Sequence, residues 1–367
     1  MIKFLAIMHL KINSAKRLSF FILLSIILNN QLLIAQDTIS NSGTEKKEVK
    51  IVGVGDIMLG TAYPLRAYLP PNEDCSPLLE DVKPYLLDAD LSFANLEGAI
   101  VDQGKMAKKC QDTLKCYAFR MPEKFASCLS DVGFDILSLA NNHSGDFGDE
   151  GRNKTMRLLD SLNIYYAGLE TNPSAEFIKD EIKYGFIAFA PNKGTLDLLK
   201  IDEAAKMVKA LASRNDIVIV SFHGGAEGKD YQHLPKGKEE FYGENRGSLY
   251  EFAHRMVDAG ADVIFGHGPH VTRAMEIYKG RYIAYSLGNF CTYGRFNLRG
   301  PNGIAPLVQL ITNKEGAFLR GKIISVYQKG EGGTHIDPNK SVIAIINNLN
   351  ASDLPENVLK IDSEGNF

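Results

Sequence analysis

The stretch ADVIFGHGPH, residues 261–270, passes from a short apolar run into two histidines that flank Gly268 and Pro269. Its centre, Val263-Ile264-Phe265, shows no polar alternation, as expected of a strand covered on both faces in an α/β sheet. His267 closes that strand, and His270 follows three positions later, after glycine and proline have turned the chain. Gly266 and Gly268 allow close backbone approach, so both imidazoles can leave one short turn toward a common metal ion.

Five other runs repeat the arrangement. They are VKIVGVGD ending at Asp56, LSFANLE at Glu97, FDILSLANNH at His143, DIVIVSFHGGAE at His223 and Glu227, and RYIAYSLGNF ending beside Asn289. Ligands of open α/β sheets bind outside the carboxyl ends of the strands, so six strands with such tips would build one site. Carboxylates and imidazoles together suit one or two divalent ions, manganese, iron or zinc, and such ions commonly generate hydroxide for hydrolysis.

Each tip has its own chemistry. Asp56 closes the first strand, where a carboxylate can bind or bridge metal, although a Gly-Asp pair also marks an ordinary turn. Glu97 in ANLEG can join two ions, with Asn95 supporting it. In ANNHSGDFGDEG (140–151), Asn142 offers a carbonyl oxygen as ligand, and His143 can face the substrate as acid or charge stabiliser; Asn141 reads as a turn residue. His223 reads as a ligand, and Glu227, reached across two glycines, as ligand, general base or the partner that orients an imidazole. His233, His254 and His335 lack a strand-end setting, and His254 in LYEFAHRMV reads as a structural or surface residue.

Composition narrows the partners. The 367 residues are 45% hydrophobic and 23% charged with a formal net charge of −3, ordinary for a globular protein and without the concentrated basic face that nucleic acid requires. Lys3, Lys11, Lys16 and Arg17 precede the apolar stretch from Leu18 to Leu28, the pattern of an export signal. Residues 1–35 are thus expected to be a signal cut after Ala35 or, given Leu33, a retained anchor, with residues 36–48 as linker. The protein is expected in the periplasm, cell envelope or medium. That compartment permits disulfides, and Cys110 and Cys116 in GKMAKKCQDTLKC are candidates to staple their loop. Cys128, in the helical-looking EKFASCLSDVG, reads as a buried small apolar residue, and Cys291 as structural.

The remaining pattern alternates strand and helix from Val49 to about Ala167, with helices near Ser76–Leu87 and Gly148–Leu162. A second series follows, with helices at Asp202–Ser213 and Gly247–Ala259, and then strands alone from Ala274 to Tyr327. Two halves and a shared β-rich segment suggest two central sheets with helices outside, over residues 49–330. Residues 331–367 read as a C-terminal tail.

Taken in order, GD (55–56), ANLEG (94–98), NNH (141–143), HGGAE (223–227), GHGPH (266–270) and SLGNF (286–290) resemble the bacterial capsule synthesis protein family. This is the CapA or poly-γ-glutamate capsule family, whose domain is similar to the calcineurin-like metallophosphoesterases. The resemblance implies an α/β fold, a four-layer αββα sandwich around a dinuclear metal centre. By motif, Asp56, Glu97, Asn142, His223, His267 and His270 would occupy metal-binding positions, and His143 that of the histidine assisting the leaving group. One departure stands out: Ile57 and Met58 follow Asp56 where the phosphoesterases place a histidine, so one ion would bind weakly or Glu227 would compensate. The family implies work on an extracellular anionic polymer or a small anionic substrate, by hydrolysis of a γ-glutamyl amide or related bond, beside membrane-bound polymer synthesis machinery. Arg120 and Arg295 are candidates to meet anionic groups. Two alternatives stay open, a phosphoesterase for exported phosphate esters and a non-catalytic component of a synthesis or export complex.

Overall fold

The computed structural model describes residues 48–108 and 117–367. The segment read as an export signal and the linker up to residue 47 lie outside the described residues, as do Cys110 and Cys116, while Glu48 already opens the first strand. No helix among the described residues is long and apolar enough to cross a membrane.

Two mixed sheets carry the fold. The first contains β1 (Glu48–Met58), β2 (Leu91–Leu96), β5 (Ile136–Ser138), β6 (Tyr165–Ala167), β15 (Asn289–Thr292), β16 (Ile304–Asn313), β17 (Phe318–Tyr327) and β18 (His335–Ile336). Its order is β18-β17-β16-β1-β2-β5-β6, with β15 also pairing β1. The second contains β7 (Ser174–Lys179), β8 (Ile182–Phe189), β9 (Ile217–His223), β12 (Val263–His267), β13 (Met275–Tyr278) and β14 (Arg281–Ala284), in the order β13-β14-β12-β9-β8-β7. Two short pairs lie outside them, β3 (Ala99–Ile100) with β4 (Arg120–Met121), and the hairpin of β10 (Glu239–Phe241) and β11 (Glu244–Gly247).

The unbroken apolar runs are explained by where alternate residues go. Val49 and Ile51 face the core between the sheets, together with Phe93, Ile136, Phe186, Ile219, Phe265 and Tyr282. Their neighbours Val52 and Val54 face outward onto a separate core with Leu96 and Leu137, while Val218, Val220 and Ile264 do the same on the second sheet. Both faces of the central strands β1 (from Ile51 onward), β2, β9 and β12 are therefore dry. Fully burying each such side chain contributes about 1.5–3 kcal/mol.

Helices cover the outer faces. α1 (Lys83–Leu87), α2 (Ala126–Asp131) and α3 (Gly148–Ser161) supply Leu86, Leu129 and Leu159 to the first outer core. α4 (Ile201–Ala212) and α5 (Leu249–Asp258) supply Val208, Leu211, Phe252 and Met256 to the second. The result is helix, sheet, sheet and helix in four layers, the αββα sandwich. The helix expected from Ser76 is interrupted: a 3₁₀ turn at Ser76–Leu78 precedes α1, because Pro77 and Pro84 each fit only in a first turn. Residues 331–367 contribute β18 and α6 (Ser341–Asp353), whose Val342, Ile343 and Ile346 enter the inter-sheet core.

One cysteine expectation is corrected. Cys128 is not a free apolar residue but is disulfide-bonded to Cys75, with Cα atoms 6.2 Å apart, inside the span such a bond can bridge. Cys291 is free and buried, and burial pushes its thiol up to about 12.

The bond joins residues 53 positions apart, and loop-closure entropy over that separation is worth at most about 4 kcal/mol. The double variant Cys75→Ala, Cys128→Ala is expected to melt several degrees lower in calorimetry under non-reducing conditions. An unchanged melting temperature would show that the crosslink adds nothing to the outer helical layer.

Candidate metal centre

Asp56 reaches the site through an irregularity in β1. Both parallel ladders of that strand, to β2 and to β15, shift register between Gly53 and Ile57. β16 pairs with β1 only up to Gly53, and β15 takes its place from Asp56 onward. The exchange brings Asp56 N–H to donate to Gly288 O at 2.9 Å. A Cβ on Gly55 would lie 2.0 Å from that same oxygen, so glycine at 55 is a steric requirement and not only a turn preference. From the second sheet, β9 and β12 run parallel, with His223 and His267 in register. A Cβ on Gly268, at φ +111°, would meet Gly224 O at 2.3 Å; the two histidine-bearing loops touch through bare backbone.

The six residues read as metal ligands fall into one region. Ligand atoms of Asp56, Glu97 and His223 lie within 4.8 Å of one another. His267 Nδ1 is 3.0 Å from Asp56 Oδ1, and His270 Nδ1 is 3.0 Å from Asp56 Oδ2. His270 Nε2 stands 3.4 Å from Glu97 Oε1. Asp56, Glu97, His223 and His267 are completely buried. His270 adopts φ +56°, a costly conformation for a non-glycine residue and one that concentrates at functional sites. Asn289 holds it there, with Oδ1 3.1 Å from His270 Nδ1 and Nδ2 donating to His270 O.

The unpaired atoms of this cluster test whether a cation fits. Both oxygens of Glu97, both ring nitrogens of His223, His267 Nε2 and Asn142 Oδ1 are buried without a hydrogen-bond partner. Buried polar groups normally have partners, and leaving one without costs about 1–3 kcal/mol. So many acceptor-capable atoms in one place fit a divalent ion, which needs deprotonated carboxylate and neutral imidazole. Burial lowers His223 well below the usual imidazole range, so its ring is neutral. Burial raises Glu97 well above the carboxylate range, an electrostatic debt that a cation beside it would cancel. For Asp56 burial works upward, but the hydrogen bonds from His267 and His270 win and hold it ionised.

His143 and Glu227 border this cluster. His143 Nε2 is 3.9 Å from Glu97 Oε1, and its Nδ1 is 2.7 Å from Asp146 Oδ2. Burial lowers its pKa against the opposing pull of Asp146. Glu227 pairs with Arg246 Nη2 at 2.9 Å rather than with an imidazole. Both residues, with Asn142 and His270, line a cleft of about 400 Å³. Arg295 lines it as well; Arg120 does not, and packs against Tyr63 and Phe147.

Several supporting roles differ from expectation. Asn95 donates its amide to Asp56 Oδ1 at 2.8 Å, not to Glu97. Asn141 does more than turn the chain: its Nδ2 donates to Asn95 Oδ1 and Leu96 O, and its Oδ1 accepts from His143 N. Asp146 is a further partner, signalled in the sequence only by its spacing three residues after His143, which puts both on one turn. Arg273 is another, with no local signal in the sequence. It is fully buried and forks onto Glu239 with two bonds of 2.8 Å, while Glu239 accepts from Ala226 N–H; the pair ties the loop after His223 to the turn after His270. His233, His254 and His335 pair with Asp353, Glu276 and Asp81.

Comparison with known proteins finds relatives in sequence and in structure. Residues 50–293 match the family described as bacterial capsule synthesis protein PGA_cap. The capsule biosynthesis protein CapA of Bacillus anthracis is 28% identical over 265 residues, 67% of this chain and 60% of that protein. The PGA biosynthesis protein CapA of Bacillus subtilis is 29% identical over 65% of this chain and 61% of its own length. The chain thus spans about 60% of the length of these relatives. Among solved structures, a hypothetical protein from Thermus thermophilus superposes with a TM-score of 0.45 at 15% identity, over 76% of this chain and all of that one. The purple acid phosphatase PPD1 of yellow lupin gives 0.39 at 10% identity, over 80% and 55%. With residues 50–293, about two thirds of its length, matched by the family model, the chain belongs to the bacterial capsule synthesis protein PGA_cap family.

Proposed function

We propose that this chain is a metal-dependent hydrolase that acts on an extracellular anionic polymer, cleaving a γ-glutamyl amide or related bond during capsule or polyglutamate assembly. The observation that carries the reading is the cluster of buried, unpartnered carboxylate and imidazole atoms at the base of a cleft that also holds arginine side chains. The relatives named for capsule and PGA biosynthesis support the polymer, as does a Mycobacterium tuberculosis relative, 29% identical over 227 residues, named a probable polyglutamine synthesis accessory protein.

Asp56, Glu97, Asn142, His223, His267 and His270 would hold one or two divalent ions of the manganese, iron or zinc class. Once bound, the metal would supply a Lewis acid and lower the pKa of water from about 15.7 to about 7. His267 gives Nδ1 to Asp56, which leaves Nε2 for the metal. His143 gives Nδ1 to Asp146 and so keeps Nε2 to pass a proton to the leaving group in the cleft. Glu227 at the cleft wall pairs with Arg246 and can take up the proton that the attacking water loses, while His143 supplies the one the leaving group gains. Phe119 and Phe296 stack with ring centres 5.0 Å apart and pack against His143 and His270 respectively, excluding water from one flank. The basic and apolar N-terminal pattern and the Cys75–Cys128 bond support action outside the cytoplasm, where a membrane-bound synthesis machine would be the partner.

Two outcomes are expected. Protein reconstituted with manganese, iron or zinc should retain near-stoichiometric metal through gel filtration, read by atomic emission. A Glu97→Gln, His223→Ala variant of equal folded yield should lose affinity by more than about tenfold; full retention of metal by the variant would remove the centre. The metal-loaded parent should shorten poly-γ-glutamate on sizing gels, and His143→Ala should slow this by about a hundredfold or more. Turnover of an aryl phosphate with no effect on the polymer would replace this reading with a phosphoesterase. Full metal with no turnover of either would leave an assembly role.

A further inference from the structure

The β10–β11 hairpin overhangs the cleft and holds an under-used cation. Arg246 on β11 is only 3% exposed, yet a guanidinium carries five N–H donors in a fixed fork. Glu227 Oε1 lies 2.9 Å from Nη2 and Glu244 Oε2 3.9 Å from Nη1. Nε and Nη2 have no acceptor in hydrogen-bonding geometry among the described residues. A buried cation normally needs its charge paired and its donors filled, and here one carboxylate oxygen stands close.

Its position is set by backbone. Arg246 O accepts from Gly225 N–H at 2.8 Å, which ties β11 to the loop that begins at His223. The guanidinium lines the same cleft as His143 and His270. Phe241 and Tyr242, rings 4.3 Å apart, form the hairpin tip on that cleft, and Tyr242 is 92% exposed. A fork of N–H donors in the wall of that cleft, with only Glu227 standing against it, matches the two oxygens of a carboxylate that displaces Glu227.

We propose that Arg246 is the carboxylate-recognition residue of this cleft: its fork takes a free carboxylate of an acidic γ-linked chain and so selects which bond lies over the ligand cluster. Glu227 is then the internal competitor that occupies the fork until the chain arrives. The assignment rests on the hydrolase reading for its substrate class, but concerns binding and is tested without turnover.

The experiment is fluorescence polarisation of the metal-loaded full chain in a His143→Ala background, which slows cleavage of the probe, with a labelled oligo-γ-glutamate beside the neutral isostere oligo-γ-glutamine; polymer cleavage is read separately with His143 intact. Arg246→Gln is expected to weaken the acidic probe by about ten- to a hundredfold and to leave the neutral probe unchanged. Arg246→Lys should keep part of the affinity, as a point charge without the fork, and Glu227→Gln should tighten it. Variants count only with parental metal content and melting temperature; should Arg246→Gln fail to fold, the several-fold loss expected for Arg246→Lys carries the test. Unchanged affinity for the acidic probe would overturn the proposal, as would equal losses for both probes, or a parent that binds both alike. Competition by inorganic phosphate that depends on Arg246 when the acidic probe's binding does not would overturn it too. A parent that binds the probe without cleaving polymer would sink the hydrolase reading and leave Arg246 in place.

Discussion

The Asp56 carboxylate joins the two sheets at the site by directional bonds and not by apolar contact alone. It lies on β1 of the first sheet, takes an amide from Asn95 on β2, and faces His267 at the end of β12 and His270 just beyond it. Between the sheets the packing is aromatic, with Phe93 stacked on Phe265 at 4.9 Å and edge-on to Phe186. Such a core fixes the distance between the layers but is tolerant of sliding, whereas a buried carboxylate with directional bonds to both layers is not. Gly53 permits the approach, since a Cβ there would lie 2.2 Å from the Phe265 ring. The register of the sheets and the convergence of the ligands therefore come from the same few residues.

The convergence leaves a cost that the fold carries elsewhere. Unpaired acceptors on Glu97, His223 and His267 would each weaken a domain without a ligand to meet them. The dry layers on both faces of both sheets offset that loss, and Arg273 with Glu239 stiffens the loops that bear His223 and His270. A site assembled in advance loses less freedom on binding than one that must fold around its ligand.

How much of this was legible in the sequence depends on how local each feature is. The strand ends were legible because a both-faces-buried strand has an unmistakable apolar run and its polar tip is adjacent in sequence, as in Phe265 to His267. Asn142 and His143 were legible for the same reason. The Cys75–Cys128 bond, the Arg273–Glu239 fork and the Arg246–Glu227 pair were not, since each joins segments whose proximity is decided only after the sheets pack. Asn95 was assigned to Glu97, its neighbour two residues on. On a strand, residues two apart share a face, but Glu97 lies beyond the end of β2; the in-register partner of Asn95 across the ladder is Asp56. The C-terminal residues gave no signal because α6 has a mixed polar and apolar sequence, and its apolar residues find partners only once the sheets have packed, Val342, Ile343 and Ile346 in the inter-sheet core and Leu349 in the outer core of the second sheet.

The missing histidine after Asp56 has a structural counterpart. Ile57 and Met58 are fully buried, and both pack into the outer core of the first sheet, so β1 delivers one side chain to the site and then returns to packing. The imidazoles come instead from the second sheet: His223, His267 and His270 all issue from β9 and β12 or the turn after it. His270 reaches furthest, with one ring nitrogen on Asp56 and the other toward Glu97. Its left-handed backbone is what makes that reach possible, and Asn289 supplies the hydrogen bonds that hold it. The cluster is thus divided by origin, carboxylates from one sheet and imidazoles from the other. Any change in how the sheets sit would separate acid from base, which is why the inter-sheet contacts at Gly53, Phe93 and Phe265 belong to the chemistry of the site as much as to the stability of the fold.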